Sequence, residues 1–139
     1  MSDVLLEVRD LVAQFETRRG IVHAVDHVDF QVERGETLGI VGESGCGKSA
    51  TGQAIMGLIQ PPGRINGGEI IFKGDDLLRQ SAEDMRRIRG ARISMIFQDP
   101  TTTLNPVLSI GDQIAELLRY HTRLGARAAR ERVIEMLDQ

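Results

Sequence analysis

Apolar and polar residues alternate along parts of the first third of the chain. Within residues 28–32 the order is Val, Asp, Phe, Gln, Val, which is the two-residue period of a strand with one buried face. Residues 4–15 are also predicted to be extended, and the polar cluster at residues 16–20 has the composition of a turn. The N-terminal part is therefore predicted to contain two strands joined by a turn.

The middle of the chain is predicted to hold three more strands and one helix. Residues 38–41 are apolar without clear alternation, as expected for a parallel strand that is covered on both faces. A helix-like run follows at residues 54–59 and is broken by Pro61-Pro62-Gly63. Residues 68–74 and 92–97 are predicted to be short strands.

The second half of the chain carries helix signals. Ser81 with Asp84 three residues later is typical of a helix N-cap and predicts a short basic helix through about Arg89. Apolar residues then recur at i, i+4, i+7 and i+8 in two runs, which predicts two amphipathic helices: Ile110, Ile114, Leu117, Leu118, and Ala129, Val133, Met136, Leu137. Five arginines in this part could form a partner-binding face, but interleaved glutamates favour a solvated helix face: Arg119, Arg123, Arg127, Arg130 and Arg132.

Composition narrows the class of protein. The chain has 139 residues, 41% hydrophobic and 27% charged, with a formal net charge of −3, which fits one domain but not two. This slight acidity gives no electrostatic footprint for nucleic acid. The N-terminus lacks the features of a signal peptide and no apolar run is long enough to span a bilayer, so any membrane role is expected to be peripheral. The histidines form no ligand set for a metal: His23, His27 and His121.

The strongest chemical signal is the stretch 42–49, which reads G-x-x-x-x-G-K-S between a predicted strand and a predicted helix. Its three glycines, Gly42, Gly45 and Gly47, allow successive backbone N–H groups to point at one phosphate, next to the positive end of the following helix. Lys48 adds a positive charge for the β- and γ-phosphates, and the Ser49 hydroxyl can ligate Mg²⁺. The sequence therefore predicts nucleotide binding.

Cys46 lies inside this loop and is the single cysteine of the chain, so it cannot form an internal disulfide, which suits a reducing cytosol. One interpretation is a redox-sensitive or alkylatable thiol, because a helix N-terminus favours the thiolate. The favoured interpretation is a small residue that is tolerated at an unrestrained loop position.

Three features resemble the ATP-binding subunits of ATP-binding-cassette (ABC) transporters, and more narrowly those of the bacterial dipeptide, oligopeptide and nickel importer group. The first is the run from Ile40 through the loop to Leu58. The second is the run Met95-Ile96-Phe97-Gln98-Asp99-Pro100, continuing through Leu104-Asn105-Pro106, which matches the family's Q-loop. The third is Phe15, at the position of an aromatic residue that stacks on adenine.

The resemblance implies ATP and Mg²⁺ as cofactors. It assigns nucleotide contacts to Phe15 and to the loop residues Gly42, Glu43, Ser44, Gly45, Cys46, Gly47, Lys48, Ser49 and Ala50. It assigns catalytic roles to Lys48 and Gln98, and Mg²⁺ contacts to Ser49 and Gln98. Ala50 departs from the threonine often found there, which removes one hydroxyl donor to the α-phosphate and is expected to weaken binding modestly.

The implied fold is an α/β P-loop NTPase of the ABC type, incomplete, with a RecA-like core, an antiparallel β subdomain and the start of a helical subdomain. Residues 1–139 form the N-terminal part of such a nucleotide-binding domain. The antiparallel β part is assigned to residues 1–36 and 66–74, the P-loop core strands and helix to 37–60 and 91–98, and the helical subdomain to 107–139.

The implied partners are transmembrane permease subunits, contacted through the Q-loop and helical lobe, and a second ABC ATPase subunit in a homo- or heterodimer. An extracytoplasmic solute-binding protein is an indirect partner, and the implied location is the cytoplasmic face of the bacterial membrane.

The 139 residues contain no Leu-Ser-Gly-Gly-Gln signature, no Walker B run of four apolar residues followed by Asp-Glu, and no switch histidine. We therefore expect the chain alone to be catalytically incompetent and to be a partial sequence of a longer ATPase. Two alternatives are a truncated nucleotide-binding module without hydrolysis and a soluble ABC ATPase of DNA repair or translation.

Overall fold

A computed structural model describes residues 3–98 and 104–138 of the chain. The chain divides into two units, residues 1–86 and 87–139, which are described separately. The first unit contains a four-stranded antiparallel sheet with the order β2-β1-β3-β4 and one helix beside it. Its strands are β1 (Val4–Thr17), β2 (Gly20–Glu33), β3 (Gly63–Phe72) and β4 (Asp75–Asp76). The α-helices within the described residues are α1 (Lys48–Ile55), α2 (Ala82–Ile88), which crosses the boundary of the units, α3 (Ile110–His121) and α4 (Ala126–Leu137), and a short 3-10 helix spans Leu77–Arg79.

Strand β1 lies at the centre of the sheet, because it pairs with β2 on one side and with β3 on the other. Leu11, Ala13 and Ile70 are 0% exposed and form the middle of the core. Helix α1 covers part of this sheet and buries Thr51 and Ala54. The two N-terminal strands and the alternating burial of residues 28–32 are confirmed.

The predicted strand at residues 38–41 is wrong. These residues belong to no strand, and Ile40 and Val41 are 49% and 92% exposed. The strand predicted at residues 92–97 is also wrong, since Ile93 makes one isolated bridge to Arg89 and Ile96 is 97% exposed. An apolar run predicts a buried strand only where a neighbouring strand supplies hydrogen-bond partners, and neither run has one in the part of the chain described here.

Helix α1 and strand β3 have boundaries that differ from the sequence prediction. Helix α1 begins at Lys48 and ends at Ile55, because Met56 caps it and Gly57 turns the chain with a φ of +61°. Strand β3 begins at Gly63, earlier than predicted, since pairing with β1 extends it, and it ends at Phe72 rather than at residue 74. The N-cap at Ser81 is confirmed: its hydroxyl donates to the Asp84 carboxylate over 2.6 Å and accepts from the Asp84 N–H over 3.1 Å.

The second unit contains the predicted amphipathic helices α3 and α4, which contact each other. Ala129 and Val133 are buried, whereas Leu117 and Leu137 are 59% and 57% exposed. Arginines of α4 pair with glutamates on the same exposed face, as predicted for a solvated face: Arg127 with Glu131 and Arg132 with Glu135. Among the helices in residues 3–98 and 104–138, none has the length and apolarity needed to cross a membrane.

Strand β1 is bent at Asp10, opposite a bend of β2 at His27. Both residues have a positive φ, of 47° and 49°, and the β1–β2 register shifts here. Nδ1 of His27 lies 2.5 Å from Oδ1 of Asp10, and the Asp10 N–H donates to the Asp29 carboxylate over 2.9 Å. The hydrogen bond that the imidazole donates to the Asp10 carboxylate and the negative charge of Asp10, with smaller contributions from Asp26 and Asp29, raise the pKa of His27 above its ordinary value.

We expect this pair to make the stability of the fold depend on pH. Because the pKa of His27 is higher in the folded state than its unfolded value of about 6.5, the stabilisation is complete below that pH and is lost as pH rises through the folded-state pKa. His27→Asn, which tolerates a positive φ, should therefore lower Tm more at about pH 5.5 than at about pH 9. Asp10→Asn should give the same profile in thermal melts, whereas a Tm difference that is constant with pH would contradict the expectation.

Candidate functional site

The glycine-rich loop at residues 42–47 leads directly into α1 of the first unit. Gly45 and Gly47 have positive φ values of 83° and 96°, which glycine adopts without strain. Gly47 is the N-cap residue of α1, and no side chain caps the helix there. The loop therefore has the left-handed backbone turns that the sequence motif requires.

Gly47 lies close to the backbone of β2. A Cβ atom at this position would lie 2.0 Å from the carbonyl oxygen of Ala24. Such a distance is far inside van der Waals contact, so any side chain here would displace the loop from β2. Ala24 was not identified from the sequence, because a contact between a loop and a distant strand leaves no local pattern.

The side chain of Lys48 folds back across the loop. Its Nζ atom donates hydrogen bonds of 2.7 Å to the carbonyl oxygens of Gly42 and Glu43. The Glu43 carbonyl also accepts the Cys46 N–H over 3.3 Å, which closes the turn. The ammonium group is thereby fixed on the inner side of the loop, while Glu43 and Ser44 are exposed.

The Cys46 side chain contacts Lys48 and lies beside Gly42, so this position is more restrained than the favoured sequence interpretation expects. Its Sγ atom lies 3.4 Å from Nζ of Lys48, and it would be 2.5 Å from a Cβ at residue 42. A side chain at residue 42 would therefore meet the Cys46 thiol, whereas the φ of Gly42 is not positive and does not itself call for glycine. The cysteine is exposed and reduced.

The first turn of α1 carries the remaining predicted residues. Ser49 is exposed and Ala50 is half-buried. Thr51, which the sequence interpretation did not include, is buried, and its hydroxyl donates to the Gly47 carbonyl over 3.0 Å. This bond ties the helix to the loop on the side that faces the core.

Phe15 lies in β1 between its strand partners Val22 on β2 and Gly63 on β3. Its side chain is half-buried, and the ring occupies the space beside Gly63. The aromatic residue predicted to stack on adenine is therefore in the same unit as the loop. The sequence analysis named Gly63 only as part of the break after the helix and not as a partner of Phe15.

Gln98 belongs to the second unit and is exposed. Residues 99–103, which include Asp99 and Pro100 of the predicted Q-loop, lie outside the described residues. Leu104, Asn105 and Pro106 precede α3, and the Asn105 N–H donates to the Gln113 side chain over 2.9 Å. The role of Gln98 stays a prediction.

The loop fits a nucleotide phosphate group. It has glycines where side chains would clash, a fixed ammonium group and an uncapped helix start, all on one short segment. The exposed Ser49 hydroxyl at that helix start fits a Mg²⁺ ligand that accompanies the phosphates. Within the described residues, no group of three His, Cys, Asp or Glu side chains could hold a metal independently.

A protein-family model that matches this chain and the names of two relatives both indicate a transport protein. Residues 25–139 match the sequence family described as ABC transporter. The chain is 51% identical over 135 residues to the oligopeptide transport ATP-binding protein OppD of Bacillus subtilis, covering 96% of this chain and 38% of that protein. It is 52% identical to the dipeptide transport ATP-binding protein DppD of the same organism, covering 96% and 40%. The chain thus spans about two fifths of the length of these relatives.

The fold agrees with solved structures. A dimeric bacterial ABC transporter cassette superposes with a TM-score of 0.81 at 22% sequence identity, covering 96% of this chain and 56% of the cassette. An ATP-binding cassette dimer bound to ADP and Pi gives a TM-score of 0.79 at 21% identity. The predicted fold class, an incomplete α/β nucleotide-binding domain of the ABC type, is confirmed. From the family match over most of its length and these relatives, the chain belongs to the ABC transporter family.

Proposed function

We propose that this chain is the ATP-binding part of a subunit that energises the transport of peptides or similar small solutes across the bacterial cytoplasmic membrane. The observation that carries the proposal is the loop at residues 42–47, with Lys48 fixed across it by two hydrogen bonds of 2.7 Å. The names of the relatives, which are oligopeptide and dipeptide transport ATP-binding proteins, support the substrate class.

ATP is the ligand that this loop would hold. The backbone N–H groups of the glycine-rich turn and of the first turn of α1 would bind phosphate oxygens, and Lys48 would neutralise the charge of the β- and γ-phosphates. Glu43 and Cys46 keep the turn closed through their backbone hydrogen bond, and Ser44 would contribute its backbone N–H to the phosphate. Ala50 offers no hydroxyl, so the contact there is limited to the main chain.

Phe15 would stack on the adenine ring, and Ser49 would ligate Mg²⁺. The family resemblance assigns a Mg²⁺ contact to Gln98 as well. Aromatic side chains bind bases through their π faces, and the half-buried Phe15 keeps part of its ring accessible. A bound Mg²⁺ would supply charge neutralisation of the phosphates. Gln98, as a neutral amide, suits a weak ligand that also links nucleotide state to a partner.

The partners that we propose are permease subunits, which would be contacted through the Gln98 segment and the helical part that begins at α3. A second ATPase subunit would complete the nucleotide site, and a solute-binding protein would act indirectly. The subunit would then work at the cytoplasmic face of the membrane, bound peripherally.

Turnover requires groups that these 139 residues do not contain. The sequence has no acidic pair after an apolar strand to position Mg²⁺ and polarise water, and no signature motif. We therefore propose that residues 1–139 by themselves bind ATP without hydrolysing it, within a family whose members are ATPases.

Binding assays with a series of nucleotides test the proposal. ATP and ADP should bind to the purified protein in calorimetric titrations with Mg²⁺, whereas AMP should bind about tenfold to a hundredfold more weakly, because it lacks the phosphates that Lys48 would contact. No phosphate should be released from ATP. Equal affinity for AMP and ATP, or no ATP binding, would contradict the proposed site.

A further inference from the structure

The ring of Phe15 occupies the space that a side chain at position 63 would need, and the residue at this position is glycine. A Cβ built at Gly63 would lie 2.5, 2.8 and 2.9 Å from three ring carbons of Phe15. Gly63 is buried and is the direct cross-strand partner of Phe15 in the β1–β3 pair. Its φ is outside the positive range, so backbone conformation does not require a glycine here. The requirement comes from the ring.

The backbone around this pair is fixed on both strands. The Glu16 N–H donates to the Pro62 carbonyl over 3.2 Å, and the Glu16 carboxylate pairs with Arg64. Glu16, which follows Phe15, is thereby tied to the residues on both sides of Gly63. Because the strands cannot move apart freely, an added methyl group at residue 63 would have to displace the ring.

We propose that Gly63 is a positioning residue for the adenine base, which acts by fixing the ring of Phe15. The inference rests on the proposed function, since it takes ATP as the ligand and Phe15 as the stacking residue. Glycine opposite an aromatic residue in a sheet lets the ring lie flat over the backbone. The ring then keeps one orientation, and the base meets a preorganised surface.

The test compares ATP with inorganic tripolyphosphate, which has no base, as probes of the same site. Gly63→Ala should weaken ATP binding about tenfold, the usual size of one base-stacking contact, and leave tripolyphosphate binding unchanged. Gly67→Ala is the matched control on the same strand, because a Cβ at Gly67 meets nothing within 4 Å. It should alter the affinity for neither ligand.

Phe15→Ala makes the test independent of how well the Gly63 variant folds. It should lower the ratio of ATP to tripolyphosphate affinity by itself, and adding Gly63→Ala should cause no further loss, since both changes act through the ring. An unchanged ratio in Phe15→Ala, or equal losses for both ligands in Gly63→Ala, would overturn the inference. A wild-type protein that binds neither ligand would overturn the proposed function instead, and this inference with it.

Discussion

Replacing Gly47 with alanine is expected to abolish measurable ATP binding and to lower the free energy of unfolding by at least about 2 kcal/mol. Two effects add at this position. The φ of +96° is strained for any residue with a Cβ, and that Cβ would lie 2.0 Å from the Ala24 carbonyl. The loop would have to leave β2, and the start of α1 would move with it. Chemical denaturation and ATP titration measure the two losses.

Two other glycines separate the contributions of backbone strain and steric clash. Gly45→Ala has a φ of +83° but no atom within 4 Å of the new Cβ, so it should show the strain alone. Gly39→Ala has neither feature and should behave like the wild type. If Gly45→Ala lost as much stability as Gly47→Ala, the contact with Ala24 would have no part in holding the loop.

Replacing Lys48 with alanine should weaken ATP binding about a hundredfold while changing Tm little. Hydrogen bonds to charged groups contribute about 1.5–3 kcal/mol each, and Lys48 is placed to give such bonds to phosphate oxygens. The fold loses less, since the Gly42 and Glu43 carbonyls that Lys48 contacts belong to exposed residues and water can replace the donor. Calorimetric titration gives the affinity, and thermal melting gives the stability.

Lys73 provides the matched control, because it is the second of the two lysines in the chain. Lys73→Ala removes the same charge from an exposed residue of the same unit and loses a contact of 5.4 Å with the Phe72 ring. It should leave ATP affinity unchanged. Equal losses in both variants would show that net charge, rather than the placement of Lys48, controls nucleotide binding.

Local patterns predicted the elements whose stabilising interactions are local. The capped helix after Ser81 and the two amphipathic helices follow from spacing within a few residues. The runs at residues 38–41 and 92–97 are mostly apolar, yet neither forms a strand, because a strand depends on a partner elsewhere in the chain. Apolar composition indicates that a segment tends to be buried and carries no information about which neighbour would cover it.

The residues of the candidate site also fall into those that a local pattern predicts and those that depend on distant contacts. The phosphate loop could be read directly, since its glycines, lysine and serine are contiguous. Contacts between residues that are distant in sequence could not be predicted: Ala24 lies against Gly47 of the loop across more than 20 positions, and Gly63 lies beside Phe15 across the sheet. Thr51 was also missed, although it lies four residues after Gly47, where a hydroxyl can reach a carbonyl of the preceding helical turn.

The position of the phosphate loop between two strands of one sheet links ligand binding to the entropy of folding. The β1–β2 hairpin is closed by a tight turn at Thr17 and Gly20, whereas the ion pair of Glu16 and Arg64 joins residues 48 positions apart. Residues 34–62 therefore form a connecting segment whose ends come together when β3 pairs with β1. Doubling the length of this segment would raise the free-energy cost of loop closure by only about 0.6 kcal/mol. An anion that binds the loop orders part of residues 34–62. The conformational entropy that this segment still has to lose when β3 pairs with β1 is then smaller, so the anion favours the pairing of two strands that it does not contact.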